Sequence, residues 1–74
     1  MRMFHDKNVT LSVQGKQYQM EIQEIPTTQN FSVDIKGIDK FILLKHTGKF
    51  MCQAGQGMTP ELLTEIGNYI NRHV

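Results

Sequence analysis

The strongest constraint on the fold lies in residues 8–23, NVTLSVQGKQYQMEIQ, where apolar and polar side chains alternate on both sides of a glycine. Alternation with a period of two is typical of a β-strand that buries one face. Gly15 and Lys16 predict a two-residue type II′ turn, because Gly occupies its first central position. The hairpin then pairs residues of one apolar face: Val13 with Tyr18, Leu11 with Met20, and Val9 with Ile22.

Three further segments have strand patterns. The loop at residues 25–30 contains Pro26, which ends the second strand. Residues 31–36 alternate again, and two later apolar segments flank a turn at Thr47 and Gly48 for which two-residue and three-residue loops both fit. We therefore predict strands at about residues 8–14, 17–24, 31–36, 40–46 and 49–54.

The last segment has the pattern of an amphipathic helix at about residues 60–72. Thr59 is a suitable N-cap, Pro60 occupies the first helical position, and Glu61 lies where the helix dipole favours an anion. Gly67 lies in the helix interior, where Gly costs about 1 kcal/mol of stability relative to Ala. Close approach of the helix to the sheet would compensate for this cost, so we predict such an approach at Gly67. The apolar stripe consists of Leu62, Leu63, Ile66, Tyr69 and Ile70.

These elements predict one small α+β domain over residues 1–74, an antiparallel meander of about five β-strands with one C-terminal α-helix packed across one face. Cys52 is the only cysteine, so no intrachain disulfide can reinforce the fold, and a second subunit becomes one option for stabilising it. The lone cysteine also favours a reducing, cytoplasmic setting. No apolar run reaches the roughly 18 residues of a membrane span, and the N-terminus has no apolar signal-peptide core.

His46 and Cys52 raise the question of a metal site or a catalytic thiol. Zinc needs three or four converging ligands, and the other histidines, His5 and His73, lie at opposite ends of the chain. With a two-residue loop in the second hairpin, Cys52 pairs with Leu43 and lies on the order of 10 Å along the strand from His46. That distance is too long for a Cys–His nucleophile pair. We predict no metal site, no catalytic residue and no cofactor.

Two other enzyme chemistries are also disfavoured. The sequence AGQG at residues 54–57 has the glycines of a phosphate-binding loop, but no Lys and Ser/Thr pair follows at the required spacing. Acid/base catalysis requires carboxylates held in a concave pocket. The candidate carboxylates occupy outward strand positions or turns: Glu21, Glu24, Asp34 and Asp39. We expect no enzyme.

The fourth predicted strand is apolar on both faces, because residues 41–44 are four consecutive apolar residues. Whichever pair points to the helix, the other pair must point away from it, beside Met51. An exposed apolar cluster is typical of an association surface. The predicted interaction surface is drawn from Phe41, Ile42, Leu43, Leu44 and Met51.

An alternative is that the N-terminal segment MRMFH covers this cluster with Met3 and Phe4. The leading hypothesis is a small non-enzymatic module that forms a homodimer or binds another protein.

Nucleic-acid binding is the competing hypothesis. Four lysines fall within fourteen residues that contain a single acidic residue, and these are the possible contacts: Lys36, Lys40, Lys45 and Lys49. The formal net charge of +1 is not that of a strongly basic domain. In architecture, a meander followed by a capped helix is similar to the PC4-like single-stranded DNA-binding fold, whose members dimerise. The resemblance is one of shape, without a shared motif, and implies single-stranded nucleic-acid binding as the alternative function.

Overall fold

The computed structural model describes residues 3–74 and contains five strands followed by one helix. The strands are β1 (His5–Val13), β2 (Lys16–Glu24), β3 (Phe31–Ile35), β4 (Asp39–His46) and β5 (Lys49–Ala54), and the helix is α1 (Pro60–His73). All neighbouring strands are antiparallel, and the sheet order is β1-β2-β3-β4-β5. The predicted α+β meander with one C-terminal helix is confirmed.

Helix α1 packs across one face of the sheet, here named the helix face, and the opposite side is the outer face. The residues buried between sheet and helix are Val9, Val13, Met20, Ile22, Phe31, Val33, Ile35, Phe41, Leu43, Leu62, Ile66 and Ile70. Along the strands these residues are spaced by two or four positions, and along the helix by four, which is the periodicity of the sequence. Within residues 3–74, no helix is long and apolar enough to cross a membrane.

The first hairpin closes earlier than predicted. Its two loop residues are Gln14 and Gly15, with φ of 51° and 81°, as in type I′ turns. Val13 therefore pairs with Lys16 and not with Tyr18, and the other two predicted pairs shift by the same amount. A shift of two residues leaves each side chain on its predicted face, so the alternation of the sequence could not distinguish these registers. The faces are right and the predicted pairing is wrong.

The second hairpin has the shorter of the two loops that the sequence allowed. Thr47 and Gly48 have φ of 50° and 79°, again as in a type I′ turn. Cys52 consequently pairs with Leu43. This pairing determines which side chains of β5 face the helix.

The start and middle of α1 follow the sequence prediction. Thr59 has extended backbone, and its hydroxyl accepts the Leu62 N–H at 3.2 Å. Gly67 is buried against Phe50, and a Cβ atom there would lie only 2.7 Å from the Phe50 ring. The close helix-to-sheet approach predicted from Gly67 is confirmed. It brings α1 against Phe50 of β5, while the helix also packs against β1.

Candidate interaction surface

Strands β4 and β5 present three apolar side chains on the outer face. Leu44 pairs directly with Met51, and Ile42 lies two positions before Leu44 on the same face. Met51 is 66% exposed, whereas Ile42 and Leu44 are half-buried. We name these three residues the outer apolar surface.

Phe41 and Leu43, also predicted as candidates for the interaction surface, belong to the core. Leu43 pairs with Phe31 of β3, and Phe41 pairs with Val33. Paired residues of neighbouring strands share a face, so both side chains point to the helix, where they are fully buried. The register between β3 and β4 thus narrows the predicted surface to its outward-facing members.

The rest of the outer face is polar. Ser32 of β3 pairs with Ile42, and Asp34 lies opposite Glu21 of β2. The Glu21 Oε2 atom lies 2.5 Å from His5 Nε2. The outer face is therefore divided into a polar half on β1 to β3 and an apolar half on β4 and β5.

The N-terminal segment does not cover the apolar half with the residues that the sequence suggested. The Phe4 N–H donates to the Glu24 carboxylate at 3.1 Å, and the Phe4 carbonyl accepts the Glu24 N–H at 2.8 Å. The Phe4 ring packs edge-on against Phe31 on the helix face, with ring centroids 6.1 Å apart. Met3 lines the same depression as Phe4, beside the C-terminal end of α1. The covering role predicted for Met3 and Phe4 is wrong, and residues 1–2 lie outside the described residues.

Strand β5 forms one edge of the sheet and has an open side. Its hairpin closes at the pair His46 and Lys49, and hydrogen-bonded pairs then alternate along an antiparallel ladder. The backbone N–H and C=O groups of Phe50 and Cys52 therefore point away from β4. Within residues 3–74 these groups have no hydrogen-bond partner. An open row of this kind is a template for another strand.

Strand β1 forms the other edge and is interrupted by a β-bulge between Asp6 and Val9. One Asp6 carboxylate oxygen accepts the Asn8 N–H at 3.1 Å, and the other accepts the hydroxyl of Tyr69 in α1. Lys7 is exposed within the bulge. Bulges and charges of this kind prevent a strand edge from pairing with another chain.

The hydrogen bonds at the bulge perturb both ionisable partners. The Tyr69 hydroxyl, and to a smaller extent the Asn8 N–H, lowers the pKa of Asp6 below its ordinary value of 3.8. The same bond to Asp6 raises the pKa of Tyr69 above 10.0, with burial adding to the increase. The pair therefore consists of a carboxylate and a neutral phenol at neutral pH.

Residues near the two ends of the chain lie together beside β1, a contact that was not predicted from the sequence. The Tyr69 ring stacks on His73, with centroids 4.1 Å apart, and His73 lines the same depression as Phe4 and His5. The spacing of Tyr69 and His73, four positions apart on a helix, was the available signal. The position of the Tyr69–His73 pair next to β1 depends on the direction of α1 across the sheet, which the sequence does not show.

His46 and Cys52 do not form a site together. His46 is exposed beside the second hairpin turn, whereas Cys52 is half-buried on the helix face with its Sγ 3.3 Å from the Ala54 carbonyl. Among residues 3–74, no group of three or more His, Cys, Asp or Glu side chains could hold a metal ion.

The glycine-rich connection from β5 to α1 is held by a carboxylate. Asp39 accepts the Gln56 N–H at 2.9 Å with one oxygen and the Lys40 N–H at 2.8 Å with the other. These bonds, the one from Gln56 first, lower the pKa of Asp39. Because Asp39 occupies the Gln56 N–H, that donor is not free to bind a phosphate, in agreement with a structural role for the two glycines.

The four lysines of the nucleic-acid hypothesis do not share one face. Lys36 lies in the turn before β4, and Lys49 follows the turn after it. Lys40 alternates with Phe41 and points outward, whereas Lys45 lies on the helix face with its Nζ 5.7 Å from the Phe50 ring centroid. The structure therefore divides the cluster between two faces and two ends of the sheet.

Comparison of the chain with protein-family models produced no match, and neither curated proteins nor solved structures matched it. The similarity to PC4-like proteins therefore remains one of element order.

Proposed function

We propose that this protein is a small non-enzymatic interaction module that binds protein through the outer apolar surface. The observation that carries the proposal is the exposure of Met51, at 66%, in the middle of a strand and beside Leu44. Among residues 3–74, the other exposed large apolar side chains lie in a turn or near the chain ends: Met3, Ile38 and Val74. An apolar cluster within a regular strand and rimmed by polar residues is typical of an association surface.

The size of the outer apolar surface indicates what kind of contact a partner makes. Removing a Met side chain from water contributes about 1.5 to 3 kcal/mol, and Ile42 and Leu44 contribute less because they are already half-buried. A stable interface buries on the order of 800 Å² on each partner, which is more than three side chains provide. A partner must therefore also contact the neighbouring backbone, and the open edge of β5 offers it. The single unpaired cysteine favours a cytoplasmic setting for this contact.

Site-specific photocrosslinking tests this function. A benzophenone amino acid replaces Met51 in the full chain, and the same amino acid replaces Thr10, an exposed residue on β1, in a matched control. After irradiation in cells that express the chain, we expect protein adducts at position 51 and far fewer at position 10. Equal adduct yields at the two positions would refute the proposed function.

A further inference from the structure

We infer that the partner is a second copy of this chain, joined through the open edge of β5 in an antiparallel strand pair with Met51 at the two-fold axis. The inference rests on the proposed function, since it names the occupant of the outer apolar surface. Two copies joined in this way form one continuous sheet of ten strands. The axis is perpendicular to that sheet, so both helices lie on one side and both outer apolar surfaces lie on the other.

The backbone allows few registers for such a pair. The outward N–H and C=O groups belong to Phe50 and Cys52, and hydrogen bonding requires the outward residues of one strand to face those of the other. A two-fold axis can therefore pass through the midpoint of a Phe50, Met51 or Cys52 self-pair. A two-fold axis that passes between two residue pairs is excluded. It would place backbone N–H and C=O groups that point away from β4 opposite groups of the second copy that point toward its own β4.

The side chains favour the register centred on Met51. It forms two hydrogen-bonded pairs between Phe50 and Cys52 of opposite copies, and Met51 meets Met51 of the second copy in a non-hydrogen-bonded pair, where side chains are closest. Since Leu44 pairs with Met51 within each copy, the result is an unbroken apolar row of four side chains across both sheets. This row covers the part of Met51 that one copy leaves in water.

The two other registers separate the apolar residues. Centring on Cys52 places Met51 opposite Gln53 of the second copy, and centring on Phe50 places it opposite Lys49. In the Met51 register, Lys49 faces Gln53 of the second copy, so no like charges are directly opposed. The net charge of +1 also gives little repulsion between copies.

Disulfide trapping tests the register. In a Cys52→Ser background, Met51→Cys is compared with Gln53→Cys, a control on the same edge. Paired Cα atoms in a non-hydrogen-bonded pair lie about 4.5 Å apart, within the range of a disulfide. We expect Met51→Cys to form disulfide-linked dimers at least about 10-fold faster than Gln53→Cys. Equal rates would overturn the inference.

Amide hydrogen exchange of the unmodified protein provides a second test that no substitution can disturb. Raising the protein concentration should slow amide exchange at Phe50 and Cys52 by at least about 10-fold, because their N–H groups form hydrogen bonds with the second copy. The outward amides of Thr10 and Ser12 on β1 are the internal control and should not change. Concentration-independent exchange at Phe50 and Cys52 would overturn the inference. If crosslinks at position 51 then capture a different protein, the proposed function survives; if they capture none, it fails as well.

Discussion

The two edges of the sheet are finished in different ways. Strand β1 is interrupted by a bulge, and Asp6 there binds both the Asn8 N–H and the Tyr69 hydroxyl. Strand β5 pairs regularly from Lys49 to Cys52, with Met51 exposed in this part, and its own register shift follows between the Leu43–Cys52 and Ile42–Ala54 pairs. β1 has nine residues and β5 has six, so the contacts that protect an edge lie on the longer strand, at its Asp6 bulge. Whether an edge accepts a partner depends on what occupies its backbone and side chains more than on its length.

Gly55→Ala should produce the largest effect on stability, at the point where the chain leaves the β5 edge. Gly55 has φ of +105°, and a Cβ atom would lie 2.4 Å from the Phe41 ring and 2.8 Å from the Lys40 carbonyl oxygen. Backbone strain and overpacking together should lower the free energy of unfolding by about 3 kcal/mol or more, measured by urea denaturation.

Gly48→Ala is the matched control for this change. Gly48 has φ of +79° with nothing within 4 Å of an added Cβ atom, so only the backbone strain of about 1 to 2 kcal/mol applies. If Gly55→Ala destabilises the protein no more than Gly48→Ala does, the close contact with Phe41 is not what restricts residue 55.

Tyr69→Phe should weaken the protected edge selectively. The substitution removes the hydroxyl that donates to Asp6 and should lower the free energy of unfolding by about 1 kcal/mol. Amide exchange at Asn8 should become faster, since the bulge loses its link to α1. Tyr18→Phe is the control, because the Tyr18 hydroxyl makes no hydrogen bond within residues 3–74, and it should change stability by less than about 0.5 kcal/mol. Equal effects of the two substitutions would contradict the proposed anchoring of β1.

The lowered pKa of Asp6 predicts a smaller, pH-dependent effect at the same edge. A carboxylate whose pKa is lowered on folding stabilises the fold above its unfolded pKa, near 3.8, and this stability is lost as the pH falls through the folded pKa. Unfolding free energy should therefore fall more steeply below about pH 4 in the wild type than in Asp6→Asn. Parallel curves for wild type and Asp6→Asn would contradict this role of Asp6.

The lysine substitutions should have the smallest effect. Because Lys45 lies on the helix face and Lys49 follows the turn after β4, we expect no binding of single-stranded oligonucleotides at low salt, measured by fluorescence anisotropy. Lys45→Ala and Lys49→Ala should then leave that result unchanged. Salt-dependent binding that both substitutions weaken would instead support the nucleic-acid hypothesis.

Alternation and helix capping were enough to predict all the strands, the helix and most of the core. Residues such as Ile22 and Val33 are buried because a period of two places them on one face. The pairing predicted for the first hairpin was wrong by two residues, which shows the limit of the alternation pattern. A turn at Gln14 and Gly15 places the same side chains on the helix face as a turn at Gly15 and Lys16 would. Turn type decides between registers that the apolar pattern treats as equal.

The candidate site could be predicted only in part. The apolar run at residues 41–44 required two faces, but the choice of face came from the pairing of Leu43 with Phe31 across a long-range register. The contact at the β1 bulge joins Asp6 to Tyr69, which are 63 positions apart in sequence. Both the bulge and this contact depend on the path of α1 over β1. Local patterns do not contain that information, so the contrast between the two edges appears only in the folded chain.

Solution mass shows whether the β5 edge joins two copies of the chain. Light scattering after size exclusion, from about 1 µM to about 1 mM, is compared for wild type, Met51→Lys and the β1 control Thr10→Lys. We predict that wild type and Thr10→Lys reach twice the chain mass. We expect Met51→Lys to dissociate at least about 100-fold more readily, because two Met side chains worth about 1.5 to 3 kcal/mol each leave the interface. A wild type that stays at the mass of one chain, or a Met51→Lys variant that dimerises as well as the control, would contradict dimerisation through the β5 edge.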